Sequence, residues 1–257
     1  MVLNGHFRTS LKFLSAGPLP FFKETHRLPV MSDDHATRRA EDPWRVFKIM
    51  AEFVDSFDTL SRLGPAVTVF GSARTKSDDP NYKAAVAICE GLAKHGIATV
   101  TGGGPGIMEA ANRGAAHVKG VPSVGLNIEL PFEQKGNRYA NLGVNFHYFF
   151  TRKVCLVKYS MGFVYMPGGF GTLDELFEVV TLVQTQRIPS FPIILFGTQY
   201  WSGLLDWLKN TLESGRLISP GDLDLMQVTD EPAQVVEWIR DYRRSVGVPE
   251  QVPAAFR

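Results

Sequence analysis

The stretch Pro167–Glu175, P-G-G-F-G-T-L-D-E, sets three glycines and a threonine ahead of two acids. It lies between two apolar runs, G-F-V-Y-M and L-F-E-V-V. Glycines between a strand and a helix suit a phosphate. The backbone can approach closely, and the helix start aims N–H groups at the anion. Thr172 could add a hydroxyl. Carboxylates repel phosphate, so Asp174 and Glu175 need their own explanation. A local one is available: if the helix starts near Gly171 or Thr172, both acids fall in its first turn and complement its dipole. Thr172 and Glu175 also match the T-x-x-E capping box. A chemical one competes with it, in which the loop holds the phosphate of a larger substrate and a carboxylate acts elsewhere on that substrate.

Other residues point to the same chemistry. Gly71 and Ser72 sit in the turn G-S-A-R (71–74), and Gly102, Gly103 and Gly104 in T-G-G-G-P-G (101–106). Each turn follows an apolar run, so three glycine-bearing turns could line one crevice beyond the carboxyl ends of a parallel sheet. Tight connection alone would explain one such turn. Arg152 and Lys153, in T-R-K (151–153), read as the opening of a helix, where the dipole disfavours cations. Both together suggest an anion held at that edge. Glu109 stands behind the second glycine turn, placed either to complement a helix dipole or to hydrogen-bond a ribose or base. The turn after the first strand lacks G-x-G-x-x-G, and G-G-F-G-T lacks the lysine of a P-loop. A nucleoside monophosphate or another small phosphate fits better than a dinucleotide or triphosphate. No H-x-x-x-H, C-x-x-C or G-x-S-x-G occurs, so neither a metal nor a serine triad is expected.

The elements that position these turns alternate. Strands are expected at 66–70, 97–101, 122–128, 144–150, 162–166, 191–196 and 225–228. Helices are expected at 81–95, 106–118, 151–160, from the P-G-G turn to about Arg187, at 200–214 and at 231–244. Short apolar strands alternating with helices mean an α/β, Rossmann-like, doubly wound and mainly parallel sheet with helices on both faces. Ahead of it, Trp44, Phe47, Met50, Val54, Phe57, Leu60 and Leu63 recur at helical spacing and end at Gly64-Pro65.

The chain has 257 residues, 44% hydrophobic, with a net charge of +1. Nothing in that balance calls for nucleic acid or a membrane surface. The two cysteines, Cys89 and Cys155, lie in apolar helical patterns, which argues against a disulfide framework and fits a cytoplasmic protein. Residues 1–40 are expected to be a disordered extension, with Met31 read as the natural start. Residues 41–247 are expected to form one domain with a leading helix, and 248–257 a tail.

T-G-G-G-P-G-I-M-E-A-A-N-R-G, followed by T-R-K and P-G-G-F-G-T-L-D-E, resembles the LOG (Lonely Guy) family, whose pattern is P-G-G-x-G-T-x-x-E. The resemblance spans about residues 44 to 245. The family is often labelled "lysine decarboxylase-like", yet no lysine here is set for pyridoxal phosphate. The resemblance implies a phosphoribohydrolase that splits a cytokinin riboside 5′-monophosphate or AMP into free base and ribose 5-phosphate, with no cofactor. It implies that Arg152 and Glu175 are the catalytic pair. Gly168, Gly169, Gly171 and Thr172 would hold the phosphate. Gly102, Gly103, Gly104 and Glu109 would lie along the nucleotide, and Thr181 and Glu133 would add substrate contacts. The leading helix and the segment N-I-E-L-P-F-E-Q look like the family's longer branch. A non-catalytic carrier of a nucleotide or pterin cofactor on the same fold is the competing class, though a carrier needs no Arg152/Glu175 pair. Apolar surface on 44–63 and 177–187 predicts a homodimer or larger homo-oligomer.

Overall fold

Seven short apolar runs become seven strands in the computed structural model, which describes residues 35–129 and 136–247. The strands are β1 (Ala66–Phe70), β2 (Ala98–Thr101), β3 (Ser123–Ile128), β4 (Leu142–Phe146), β5 (Phe163–Tyr165), β6 (Ile193–Phe196) and β7 (Met226–Thr229). The helices are α1 (His35–Leu60), α2 (Pro80–Lys94), α3 (Ile107–Ala116), α4 (Phe149–Lys158), α5 (Phe170–Gln184), α6 (Thr198–Trp207) and α7 (Pro232–Ser245). By its contacts the chain divides into residues 1–45 and 46–257. Of the first unit the structure describes the opening of α1. The second contains the sheet.

The strand order is β4-β3-β2-β1-β5-β6-β7, and every pairing is parallel. This is the Rossmann-like, doubly wound α/β architecture that the strand–helix alternation predicts. β1, β5 and β6 are buried along their whole length, as a sheet covered on both faces requires. Chain order reverses between β1 and β5. The topology therefore opens a crevice at their carboxyl ends, bounded by G-S-A-R on one side and P-G-G-F-G-T on the other. Phe70 and Tyr165, the last residues of these two strands, stack with ring centroids 5.0 Å apart. They close the core directly beneath the crevice.

Several boundaries differ from the sequence expectation, and two of the differences bear on the site. The run V-N-F-H-Y-F-F is not one strand over 144–150. β4 ends at Phe146, and α4 begins at Phe149 with Tyr148 as its cap. The aromatic residues favour a strand, but the His147 N–H turns away to the carboxylate of Glu52, on α1, and pairing stops there. T-R-K thus lies inside α4 rather than opening it. The second shift concerns α5. It starts at Phe170 with Gly169 as its cap, so its first turn holds no acid. Asp174 and Glu175 fall in the second turn, and the Thr172–Glu175 capping box does not form. The helix expected over 200–214 is α6 followed by a wider π-helical turn, Leu208–Glu213.

Candidate active site

The three glycine turns are tied to one another by their backbones. The Ser72 N–H donates to Pro167 O at 3.0 Å, and the Ile107 N–H donates to Ser72 O at 3.0 Å. Together they border a cleft of about 930 Å³. Gly71, Ser72 and Gly102 line it from one side, and Gly168, Gly169, Gly171 and Thr172 from the other. Arg152 and Glu175 face the same space. An adjoining cavity of about 130 Å³ is bordered by Gly102, Gly103, Gly104, Asn127 and Arg152.

The glycines serve different ends. A Cβ on Gly168 would stand 2.1 Å from Thr172 Oγ1, and one on Gly102 would stand 2.1 Å from Arg152 Nη2. Those two positions let neighbouring side chains come close. Gly169 and Gly171 are different, since a Cβ there would meet nothing within 4 Å. They leave the floor of the cleft bare at the start of α5. The Thr172 and Leu173 N–H groups both donate to Gly169 O. Those of Phe170 and Gly171 are the donors a helix start offers to an anion.

Arg152 is anchored in the cleft wall. Its Nε donates to Leu126 O at 2.8 Å and its Nη2 to Gly102 O at 3.4 Å. A carbonyl within β3 and one in the turn after β2 thus orient the planar group, and its remaining N–H donors are available to a ligand. Burial draws the Arg152 pKa down, while the negative charge of Glu175 opposes that. Glu175 sits across the cleft on α5, half-buried, with Oε2 buried and unpartnered within the protein. The Tyr165 hydroxyl holds the Glu175 backbone carbonyl at 3.1 Å and so fixes this turn of α5. Burial, joined by the nearby charges of Glu178 and Asp174, pushes the Glu175 carboxyl up to about 7, against the pull of Lys153 and Arg152.

Lys153 turns away from the glycine loops. Its Nζ lies 2.9 Å from both Asp174 Oδ2 and Glu178 Oε2. Hydrogen bonds to these acids outweigh burial and keep the ammonium above its ordinary pKa. With Thr181, Lys153 borders a neighbouring groove along the outer side of α5 rather than the main cleft. The Thr181 hydroxyl donates to Phe177 O, one turn earlier in the same helix. Glu109 accepts from Tyr82 OH at 3.2 Å and does not border the cleft. Glu133 lies outside the described residues. Asp174 and Glu175 both border the cleft but do different work: Asp174 closes an ion pair with Lys153, whereas Glu175 Oε2 has no partner within the protein.

Sequence reasoning missed Tyr200, Phe149, Met108 and Arg74, which also border the cleft. The Tyr200 hydroxyl donates to Gly168 O and pins the glycine loop from α6. Its position just after β6 carries the signal that singles out the three turns, namely a residue beyond the carboxyl end of a parallel strand.

Among the described residues no group of three or more His, Cys, Asp or Glu is placed to hold a metal. No described helix is long and apolar enough to cross a membrane.

Known proteins resemble this chain in sequence or in fold. The family described as "Possible lysine decarboxylase" matches residues 108–239. The cytokinin riboside 5′-monophosphate phosphoribohydrolase LOG1 of Arabidopsis thaliana is 32% identical over 170 residues, covering 63% of this chain and 76% of that protein. LOG3 of the same plant is 31% identical over 183 residues, covering 68% and 82%. Two solved structures share the fold. The molybdenum cofactor carrier protein of Chlamydomonas reinhardtii has a TM-score of 0.52 and 22% identity, over 70% of this chain and 99% of that one. The molybdenum cofactor binding protein of Rippkaea orientalis has a TM-score of 0.51 and 20% identity, over 69% and 94%. By the family match and by its likeness to these plant proteins, the chain belongs to the LOG family, the group described as possible lysine decarboxylases.

Proposed function

We propose that the protein is a nucleoside 5′-monophosphate phosphoribohydrolase. It cleaves the N-glycosidic bond of AMP or a cytokinin riboside 5′-monophosphate and releases free base and ribose 5-phosphate. One observation carries this reading: the unpartnered, half-buried carboxylate of Glu175 shares a cleft with the Arg152 guanidinium and a bare helix start. In this reading the start of α5, with Gly168, Gly169, Gly171 and Thr172, takes the 5′-phosphate. The ribose then lies between Arg152 and Glu175. As the bond to the base breaks, its electrons leave with the base and positive charge builds on the sugar, as in glycoside hydrolysis. The Glu175 carboxylate stabilises that charge and takes a proton from the water that attacks C1′. The departing base gains a proton. Arg152 balances the phosphate charge and holds the substrate in line.

The test is chromatographic. The purified protein is incubated with AMP and with an N6-isopentenyl riboside 5′-monophosphate. Free base and ribose 5-phosphate are expected in equal amounts. No release from either, with one nucleotide still raising the melting temperature, would overturn the enzyme and favour a carrier.

The working unit in this proposal is a homodimer or larger. Phe170 is 92% exposed, and Phe149, Val46, Met50 and Val54 are also largely exposed. Apolar surface of this extent fits association between copies. Light scattering is expected to report at least twice the mass of one chain, and a mass equal to one chain would sink the idea.

A further inference from the structure

The leading helix reaches the catalytic machinery through one carboxylate. Glu52, half-buried on α1, accepts the His147 backbone N–H through Oε1 and, through Oε2, the Thr151 hydroxyl, which also lies 2.8 Å from Tyr148 O within its own helix start. These two donors flank the start of α4, whose cap residue Tyr148 makes no side-chain capping bond. A helix start leaves N–H groups unsatisfied and carries partial positive charge, so a carboxylate from another element can stabilise it. The pairing continues along the helices. The Cys155 thiol lies 3.4 Å from Ser56 Oγ, and the rings of Phe57 and Tyr159 meet edge to face at 6.0 Å. Residues 52, 56 and 57 of α1 thus meet 151 and 155 of α4 and its C-terminal cap, Tyr159, in the same direction. Arg152 follows Thr151 directly, and its guanidinium must meet the carbonyls of Leu126 and Gly102.

We infer that Glu52 is a positioning residue: by clamping the start of α4 it sets where Arg152 enters the cleft. The functional part of this inference rests on the proposed phosphoribohydrolase activity, and the clamp itself does not. Three variants test it: Glu52→Ala removes both acceptors, Glu52→Gln keeps the shape and one acceptor oxygen, and Thr151→Val removes only the hydroxyl. In Glu52→Ala, amide hydrogen exchange over residues 147–153 is expected to speed up about tenfold, with the rest of the sheet unchanged. KM for AMP is expected to rise about ten- to a hundredfold, because a small misplacement of a substrate-holding group is costly. Glu52→Gln is expected to restore most of that loss, and Thr151→Val to show part of it. A merely structural role would lower the active fraction, and so kcat, with KM unchanged.

If Glu52→Ala fails to fold, Thr151→Val carries the same two readouts. Unchanged exchange over 147–153 in Glu52→Ala, or in Thr151→Val where Glu52→Ala does not fold, overturns the clamp. Faster exchange with unchanged KM overturns the link to Arg152. If the wild-type protein releases no base, the proposed activity fails and the exchange data alone decide whether the clamp stands.

Discussion

Glu175→Gln is expected to cut base release from AMP about a hundred- to ten-thousandfold, the range spanned by a positioned acid–base group. The amide keeps the size of the side chain but can neither take a proton from water nor stabilise positive charge on the ribose. Had the residue been a helix cap, the cost would fall on stability. It lies in the second turn of α5, beyond the reach of that role. The pH behaviour sharpens the expectation. Burial holds the Glu175 carboxyl at about 7, above its ordinary 4.5. Wild-type kcat/KM should therefore fall as the pH drops through about 7, where the working carboxylate becomes protonated. Stability runs the other way. A raised folded-state pKa favours the fold while the carboxyl is protonated; that contribution is complete below about 4.5 and is lost as the pH rises through about 7. At pH 8 the wild-type protein carries a half-buried charge that glutamine lacks. The variant should then melt at or above the wild-type temperature, with the gap closing towards pH 5. Thermal melts at both pH values, beside the rate, separate the two roles. A variant that keeps its rate and melts lower at pH 8 would overturn the assignment.

The central strands β1, β5 and β6 were legible because they are buried along both faces, so each reads as an uninterrupted apolar run. A-V-T-V-F, and the I-I-L-F part of F-P-I-I-L-F, needed no tertiary information. The convergence of the three turns was also legible, since all follow strands of one parallel sheet. What was hidden depends on partners far away in the chain. The end of β4 is set by Glu52, 95 residues before His147. Lys153 beside Arg152 looks like a second anion ligand, but one helical step turns it about 100° away, towards Asp174 and Glu178. Glu109 sits behind a glycine turn as Glu175 does, yet Tyr82 on α2 takes it up. Equal local patterns have unequal fates because the element packed against each side chain decides where it points.

Arg152→Ala should cost about a hundredfold in kcat/KM, with KM rising as well as kcat falling. The variant loses the charge that balances the phosphate, and it loses a group whose position is defined by the carbonyls of Leu126 and Gly102. Arg152→Lys is expected to recover little of this, because an ammonium cannot reproduce the planar fork that meets Leu126 O and Gly102 O together. Removing the guanidinium also removes a positive neighbour that works against protonation of Glu175. The acid limb of the pH–rate profile should therefore move to higher pH in Arg152→Ala, which a loss of binding alone would not produce. Gly102→Ala separates charge from position. Its new Cβ would stand 2.1 Å from Arg152 Nη2, so the guanidinium must leave its seat with its charge intact. If placement matters, Gly102→Ala should approach the KM defect of Arg152→Ala, with a smaller shift of the acid limb. If Gly102→Ala keeps wild-type KM and kcat, the carbonyls of Leu126 and Gly102 are not what makes Arg152 effective, and its contribution is charge alone.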